Sequence, residues 1–140
     1  MLLDILVIES NPAEAHLIAE AFRQAGHTHK VEQFHNAEDA LAHLLHRSSV
    51  PDLILLDLSL PKKSGLELLE DIRGAQTLKR IPVIILSGSA NPADVQQAYE
   101  MGANCYIRKP EDFDDFFNMI KACYQFWGQT VSLPPKRRAS

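Results

Sequence analysis

The chain has 140 residues, of which 46% are hydrophobic, and its formal net charge is −4. This length is typical of one domain with a sizeable core, and the apolar content argues against disorder. The acidic balance gives no reason to expect nucleic-acid binding, and no apolar run approaches the ~20 residues needed to cross a bilayer. The first residues lack the basic region and cleavage pattern of an export signal, and two cysteines suit a reduced compartment, so we expect a cytoplasmic protein.

Five apolar runs of strand length alternate with five segments of helical periodicity. Capping residues and prolines mark helix starts, and glycines mark several helix ends. This alternation predicts an α/β fold: a five-stranded parallel sheet, doubly wound, with helices on both faces. The predicted strands are Leu3–Ile8, Val31–Phe34, Leu53–Asp57, Ile81–Ser87 and Cys105–Ile107, and the helices begin near Ser10 or Asn11, Asn36, Leu66, Asn91 and Phe113.

Polar side chains stand where four of these strands end. Glu9 and Ser10 follow the first strand, Asp57 ends the third, Ser87 ends the fourth, and Lys109 follows the fifth. Open parallel sheets bind ligands at the carboxyl edge of their strands, so we expect these groups to share one mouth. Taken alone, Asp57 has the alternative of being a helix N-cap or a solvated strand end.

Four motifs in this order resemble the receiver domain of bacterial two-component response regulators. They are Glu9 after strand one, Asp-Leu-Ser-Leu-Pro-x-x-x-Gly from Asp57 to Gly65, Ser87-Gly88, and Tyr106-x-x-Lys109-Pro110. The resemblance covers residues 3 to about 127, so we predict a receiver domain at 1–127 and a C-terminal extension at 128–140, too short for an output domain. It implies the flavodoxin-like (βα)5 receiver fold, with a cis peptide bond before Pro110.

The resemblance also implies a function. Asp57 would accept a phosphoryl group from a histidine kinase, since a carboxylate can attack phosphorus and hold the group as an acyl phosphate. Lys109 would pair with one phosphoryl oxygen and Ser87 would donate to another, because such transfer depends on positioning and charge neutralisation. The domain would catalyse transfer to its own aspartate, with slow dephosphorylation possible, and would not otherwise be an enzyme.

Two residues would relay the signal by a change of conformation. In receivers, the hydroxyl after strand four moves toward the phosphoryl group, and an aromatic side chain on strand five turns inward. Ser87 and Tyr106 occupy these positions. Without the resemblance, Tyr106 would be expected to be a half-buried strand tyrosine with its hydroxyl in water.

A Mg²⁺ ion is the implied cofactor. Its ligands would be Glu9, Asp57 and the backbone carbonyl of Ser59, with water in the other positions. The family normally has a second acidic residue where this chain has Ser10, and a hydroxyl is a weak, neutral metal ligand. We therefore expect a lower Mg²⁺ affinity than in a typical receiver. The alternative is that Ser10 only caps the first helix, and that the protein is a phosphorylation-independent interaction module with a weakened metal site.

The C-terminal part of the chain is unusually aromatic, and one helical face needs only about half of these residues for the core. The rest would leave an apolar surface that seeks a partner. Alternating apolar residues in the tail from Gly128 to Pro135 predict a tail strand or extended arm that packs on a second subunit, hence a homodimer. The alternative is a tail folded back on its own domain. The aromatic residues are Phe113, Phe116, Phe117, Tyr124, Phe126 and Trp127.

This tail is similar to the extension of small receivers paired with phytochrome-type histidine kinases, which lack an output domain and form homodimers. The resemblance implies a phytochrome-like kinase as partner. Lys136–Arg138 is too short to favour nucleic-acid binding, and no membrane partner is expected. A nucleotide-binding or hydrolytic enzyme is a weaker alternative, because the chain lacks a glycine-rich loop after strand one and a Gly-x-Ser-x-Gly turn.

Overall fold

The computed structural model describes residues 3–26 and 30–135 of the chain. Strands and helices alternate along it, and an eleventh element, a π-helix, follows the last α-helix directly. The strands are β1 (Asp4–Ile8), β2 (Lys30–Phe34), β3 (Leu53–Asp57), β4 (Val83–Ser87) and β5 (Cys105–Arg108). The helices are α1 (Pro12–Ala25), α2 (Ala37–His46), α3 (Gly65–Gly74), α4 (Pro92–Glu100), α5 (Phe113–Cys123) and the π-helix α6 (Tyr124–Thr130).

The five strands form one parallel sheet in the order β2-β1-β3-β4-β5. The chain therefore winds outward in one direction from β1 to β2 and in the other from β3 to β5. In open parallel sheets, such a reversal is where a ligand crevice is expected at the carboxyl edge, here between the loops that leave β1 and β3. The predicted doubly wound, flavodoxin-like (βα)5 class is confirmed.

The central strands are apolar throughout because helices cover both faces of the sheet. All residues of β1, β3 and β4 are buried, as expected for strands in the middle of a parallel sheet. On β3, Ile54 and Leu56 pack with α2, α3 and α4, whereas Leu53 and Leu55 pack with α1 and α5. This two-sided core fixes the direction in which each strand end points.

The first helix begins with a side-chain cap from Asn11. Its side-chain oxygen accepts hydrogen bonds from the backbone N–H groups of Ala13 and Glu14, at 3.0 and 3.2 Å, and Pro12 occupies the first turn. The suggestion that Ser10 only caps this helix is wrong, because Asn11 already satisfies these donors.

The C-terminal segment differs from the predicted strand or extended arm. Residues 124–130 continue α5 as α6, so the extension expected from residue 128 is at first helical. Trp127 and Leu133 pack against the core on the α1/α5 face, while Phe113 and Phe126 remain 58% and 53% exposed. The described tail thus folds back on its own domain, as the alternative held. The predicted boundary after residue 127 falls within α6 and stays a prediction, as does the homodimer, and residues 136–138 lie outside the described part.

Three further properties bear on the sequence predictions. Every peptide bond in residues 3–26 and 30–135 is trans, so the cis bond expected before Pro110 is wrong. Cys105 and Cys123 are both free thiols. Over the same residues, no helix combines the length and apolar character that a membrane crossing requires.

Candidate functional site

The carboxyl edge of the sheet brings together two carboxylates and one ammonium group from distant parts of the chain. Asp57 ends β3, Glu9 follows β1, and Lys109 follows β5. Glu9 and Asp57 are only 3% and 5% exposed. Buried carboxylates are costly unless they are paired, so the arrangement marks a site whose charges depend on one another.

Lys109 lies between three carboxylates. Its Nζ is 2.5 Å from Oε1 of Glu9, 2.9 Å from Oε1 of Glu14 and 3.7 Å from Oδ1 of Asp57. The sequence predicted Glu9 and Asp57 here but missed Glu14, which lies in the first turn of α1. An acidic residue in the first turn of a helix is common because it interacts well with the helix dipole. Nothing in the sequence therefore indicated separately that Glu14 contacts Lys109.

Backbone groups orient both buried carboxylates. The N–H of Ser59 donates to Oδ1 of Asp57 at 3.1 Å, and the N–H of Asn11 donates to Oε2 of Glu9 at 3.1 Å. The loop after β3 is tight, because a Cβ on Gly65 would lie 2.5 Å from the carbonyl oxygen of Asp57. The predicted Asp57-to-Gly65 motif thus places the start of α3 directly against the strand end that carries Asp57.

The site is short of positive charge. Burial raises the pKa of Glu9 above its usual range; the bond from Lys109 opposes this rise, and the neighbouring Asp57 carboxylate adds to it. Burial works to lower the pKa of Lys109, but its bonds with Glu9 and Glu14 and the charge of Asp57 outweigh that effect and raise it. One ammonium group facing three carboxylates leaves an excess of negative charge, which would favour the binding of a further cation.

Ser10 lies between two of the predicted metal ligands. Its hydroxyl donates to the carbonyl oxygen of Ser59 at 3.3 Å and lies 3.5 Å from Oε2 of Glu9. Glu9, Asp57 and Ser59 thus offer the oxygen ligands that Mg²⁺ prefers, and the donor set fits such an ion. Within the described part of the chain, no three His, Cys, Asp or Glu side chains form a metal cluster, so the metal set would depend on the backbone carbonyl and water.

The two predicted switch residues are linked through Ser89, which the sequence did not single out. The N–H of Ser89 donates to Oγ of Ser87 at 3.1 Å, and the hydroxyl of Tyr106 donates to the carbonyl oxygen of Ser89 at 2.9 Å. Tyr106 is half-buried, as expected for a strand tyrosine. Its hydroxyl, however, is hydrogen-bonded to the protein and not to water, which differs from the expectation made without the resemblance. Its amide also donates to the hydroxyl of Tyr99 at 3.2 Å.

Ser87 shares the edge but not the ion cluster. It is buried at the end of β4, one position beyond Leu86, the partner of Asp57 in the sheet register. Its carbonyl oxygen accepts the N–H of Lys109 at 2.7 Å, which ties the ends of β4 and β5 together. The structure therefore groups Asp57, Glu9 and Lys109 by direct contact, with Ser10 and Ser59 beside them and Ser87 on the adjoining strand.

Comparison with known proteins agrees with the fold described above. The family described as response regulator receiver domain matches residues 5–121. Response regulator Rcp1 of Synechocystis is 38% identical over 135 residues, which is 93% of this chain and 92% of Rcp1. The crystal structure of the phosphorylated cyanobacterial phytochrome response regulator RcpA superposes with a TM-score of 0.91 at 39% identity, covering 96% of this chain and all of RcpA. The Mn²⁺-bound form of Rcp1 superposes with a TM-score of 0.88 at 38% identity, covering 95% and 99% of the two chains.

Proposed function

The chain belongs to the response regulator receiver family, and we propose that Asp57 is its phosphoacceptor. It is related to phytochrome response regulators, and receivers in general signal through phosphorylation of an aspartate. The phosphoryl donor in our proposal is a histidine kinase, and a phytochrome-like kinase suits the relatives best. The observation that carries the proposal is the convergence of Asp57, Glu9 and Lys109 at one strand edge.

In this proposal the two oxygens of Asp57 have separate tasks. The N–H of Ser59 holds Oδ1, so Oδ2 is the oxygen that would attack phosphorus. As the Oδ2–phosphorus bond forms, the phosphorus–nitrogen bond of a phosphohistidine breaks, and the imidazole leaves with the bonding electron pair and takes up a proton. Lys109 then pairs with a phosphoryl oxygen, and the hydroxyl of Ser87 turns from Ser89 to donate to another.

A divalent metal would complete the site. Receivers bind such ions, and the Rcp1 structure contains Mn²⁺. In this chain, Glu9, Asp57 and the Ser59 carbonyl would hold Mg²⁺, which would neutralise charge on the phosphoryl oxygens. Ser10 would contribute at most a neutral hydroxyl, so the ion would be bound more weakly than by two adjacent carboxylates.

The output of the switch would be a change at α4 and β5. When Ser87 turns toward the phosphoryl group it gives up the N–H of Ser89, whose carbonyl oxygen holds the hydroxyl of Tyr106. A two-state element biased by such new bonds is a general signalling device. In this proposal Tyr106 moves inward, and the changed surface is presented to the downstream target.

The remaining assignments follow from the same role. The protein is a signalling domain that modifies only its own aspartate, acts in the cytoplasm, and has neither nucleic acid nor a membrane as a partner. A homodimer would form through α5, α6 and the C-terminal tail. The exposed rings of Phe113 and Phe126 support such a contact.

A second candidate function is favoured by Ser10. Its hydroxyl donates to the Ser59 carbonyl, which is one of the oxygens that a metal would need. If that bond persists in solution, the protein would act as an interaction module whose state does not depend on phosphorylation.

Intact-protein mass spectrometry after incubation with acetyl phosphate separates the two functions. With Mg²⁺ present, the wild type should gain one phosphoryl group, and chelation of the metal should abolish the gain. Asp57→Asn should not be modified, whereas Asp114→Asn, an exposed carboxylate in the first turn of α5, should behave as wild type. An unmodified wild type at high Mg²⁺ would favour the interaction module.

A further inference from the structure

Glu14 makes the second-shortest contact to the Lys109 ammonium group. Its Oε1 is 2.9 Å from Nζ, compared with 3.7 Å for the nearer oxygen of Asp57. The Glu14 side chain is 30% exposed and the Lys109 side chain 14%, so this pair is shielded from water more than an ordinary surface ion pair. The contact joins the first turn of α1 to the loop after β5.

The helix cap fixes the backbone from which the Glu14 side chain extends. The Asn11 cap accepts the N–H of Glu14 at 3.2 Å, and the N–H of Asn11 donates to Glu9 at 3.1 Å, so hydrogen bonds link the first turn to the end of β1. A helix N-terminus favours any carboxylate, but that preference does not require the side chain to reach Lys109. Glu14 also lines a cleft with Pro110 and Glu111, and Ser59 is not one of the residues that line it.

We infer that Glu14 is a positioning residue that limits how closely Lys109 approaches Asp57, whose Oδ1 lies 3.7 Å from Nζ, until a phosphoryl group arrives. The inference rests on the proposed function, because it assigns a resting state to the lysine of that site. Glu9 and Glu14 together draw the ammonium group to the β1 side of the mouth. Lys109 must release Glu14 in order to bond a phosphoryl oxygen on Asp57.

The charges favour a competition of this kind. A phosphoryl group adds about −1.5 to −2 charges at neutral pH, so it competes with Glu14 for the same ammonium group. Removing the Glu14 carboxylate makes the movement of Lys109 less costly and also reduces repulsion toward the phosphoryl oxygens. Glu14 thus stabilises the unphosphorylated state, in a site where Ser10 has already removed one negative charge.

Glu14→Gln tests this competition with beryllium fluoride, which mimics the phosphoryl group on an aspartate without a covalent transfer. At saturating Mg²⁺, the variant should bind beryllium fluoride about three- to tenfold more tightly than wild type, as expected for loss of one partly shielded charged contact. The affinity for Mg²⁺ alone should change less than about threefold.

Two matched variants separate contact from general charge. Glu20→Gln removes a carboxylate on the same helix, where Glu20 pairs with exposed Arg23, and should match wild type. Glu111→Gln removes a carboxylate from the same cleft. On a logarithmic scale, its effect on beryllium fluoride affinity should be less than half the effect of Glu14→Gln. Equal effects at Glu111 and Glu14 would overturn the inference, since general charge would then explain both.

The contact between Glu14 and Lys109 in the unphosphorylated protein can also be tested without any phosphoryl mimic. The ¹⁵N signal of the Lys109 ammonium group, recorded at one pH without metal, should shift or broaden in Glu14→Gln and stay unchanged in Glu20→Gln. Any of three results for Glu14→Gln would contradict the positioning role: an unchanged ammonium signal, beryllium fluoride binding that is unchanged or weaker, or a tenfold loss of Mg²⁺ affinity. A wild type that binds Mg²⁺ but no beryllium fluoride would instead contradict the proposed function, and the ammonium signal would still decide the contact.

Discussion

Gly65 shows how a residue without a functional group controls the site. A Cβ at this position would lie 2.5 Å from the Asp57 carbonyl oxygen and 2.7 Å from Cα of Leu58. Both are backbone atoms, which cannot rotate away. The glycine is therefore required by the close approach of α3 to the end of β3.

Gly65→Ala should destabilise the fold by about 1–3 kcal/mol, because overpacking must shift the backbone. The shift should also displace Asp57 and slow its phosphorylation. Gly74→Ala is the control: Gly74 ends α3, an added Cβ there meets nothing within 4 Å, and the change should be neutral or stabilise by up to ~1 kcal/mol. Urea unfolding measures both variants, and equal stabilities would contradict the steric explanation.

We expect Ser10 to have the largest effect on metal affinity. Ser10→Asp should raise Mg²⁺ affinity by about tenfold, because a carboxylate adds both charge and a better ligand. Ser10→Ala should change that affinity by less than about twofold, since a neutral hydroxyl contributes little. Titration of bound Mg²⁺ gives both values. If Ser10→Asp binds Mg²⁺ no more tightly than wild type, our explanation of the serine is wrong.

Glu9 predicts a pH dependence in metal-free protein. Its folded-state pKa is raised above the usual 4.5 by burial, so the folded state holds its proton longer than the unfolded state. The contribution of Glu9 to stability therefore falls as pH rises from 4.5 through the raised pKa.

The difference in unfolding free energy between wild type and Glu9→Gln isolates this contribution. Without metal, that difference should move against the wild type as pH rises through this window. Added Mg²⁺ should reduce or reverse the trend, because a cation favours the ionised carboxylate. Glu111→Gln should show no such trend, and a difference that is flat with pH would contradict the raised pKa.

The elements that were easiest to predict are those with one dominant cause. The runs in β3 and β4 are apolar because both faces of these strands are buried. The sequence therefore predicted β3 at its observed bounds and β4 with its observed end, although β4 begins at Val83 and not at Ile81. The strand β5 is shorter, only partly buried and extends to Arg108, one residue past its predicted end. Edge strands carry a weaker pattern, since fewer of their side chains face the core.

The harder features depend on contacts that a local pattern does not contain. Asp57, Glu9 and Lys109 were expected at one edge because each follows or ends an apolar run of strand length, which marks the end of a strand in the sequence. Glu14 was missed because its contact with Lys109 spans 95 positions and its local setting is an ordinary first turn. The tail was predicted as a strand or extended arm on a second subunit, but α5 continues as a π-helix that turns Trp127 toward the core.

This packing gives the tail a measurable contribution. Trp127 is partly buried on the α1/α5 face, whereas its neighbour Phe126 is 53% exposed and contacts it edge to face with 5.4 Å between ring centroids. Trp127→Ala should cost about 2 kcal/mol, and Phe126→Ala less than ~1 kcal/mol. Urea unfolding of dilute, monomeric protein measures the contrast. Equal costs would show that the tail does not rest on the domain in solution.

At the scale of the whole molecule, exposed aromatic rings on α5 and α6 predict self-association. Phe113 and Phe126 lie on the exposed side of these helices, while Leu45, also 50% exposed, lies on α2 across the sheet. Sedimentation should detect a homodimer that Phe126→Ala weakens several-fold, because aromatic anchors dominate such contacts. Leu45→Ala should leave it unchanged. A monomer at all concentrations would contradict the dimer.

The central claim is that the phosphoryl group resides on Asp57. Treating the phosphorylated protein with borohydride reduces an acyl phosphate to an alcohol, so peptide mass spectrometry can locate the modified side chain. We predict reduction at Asp57 alone, and only when Mg²⁺ was present during phosphorylation. Reduction at Glu9 or Glu14 in place of Asp57, or no reduction in any peptide, would contradict the account.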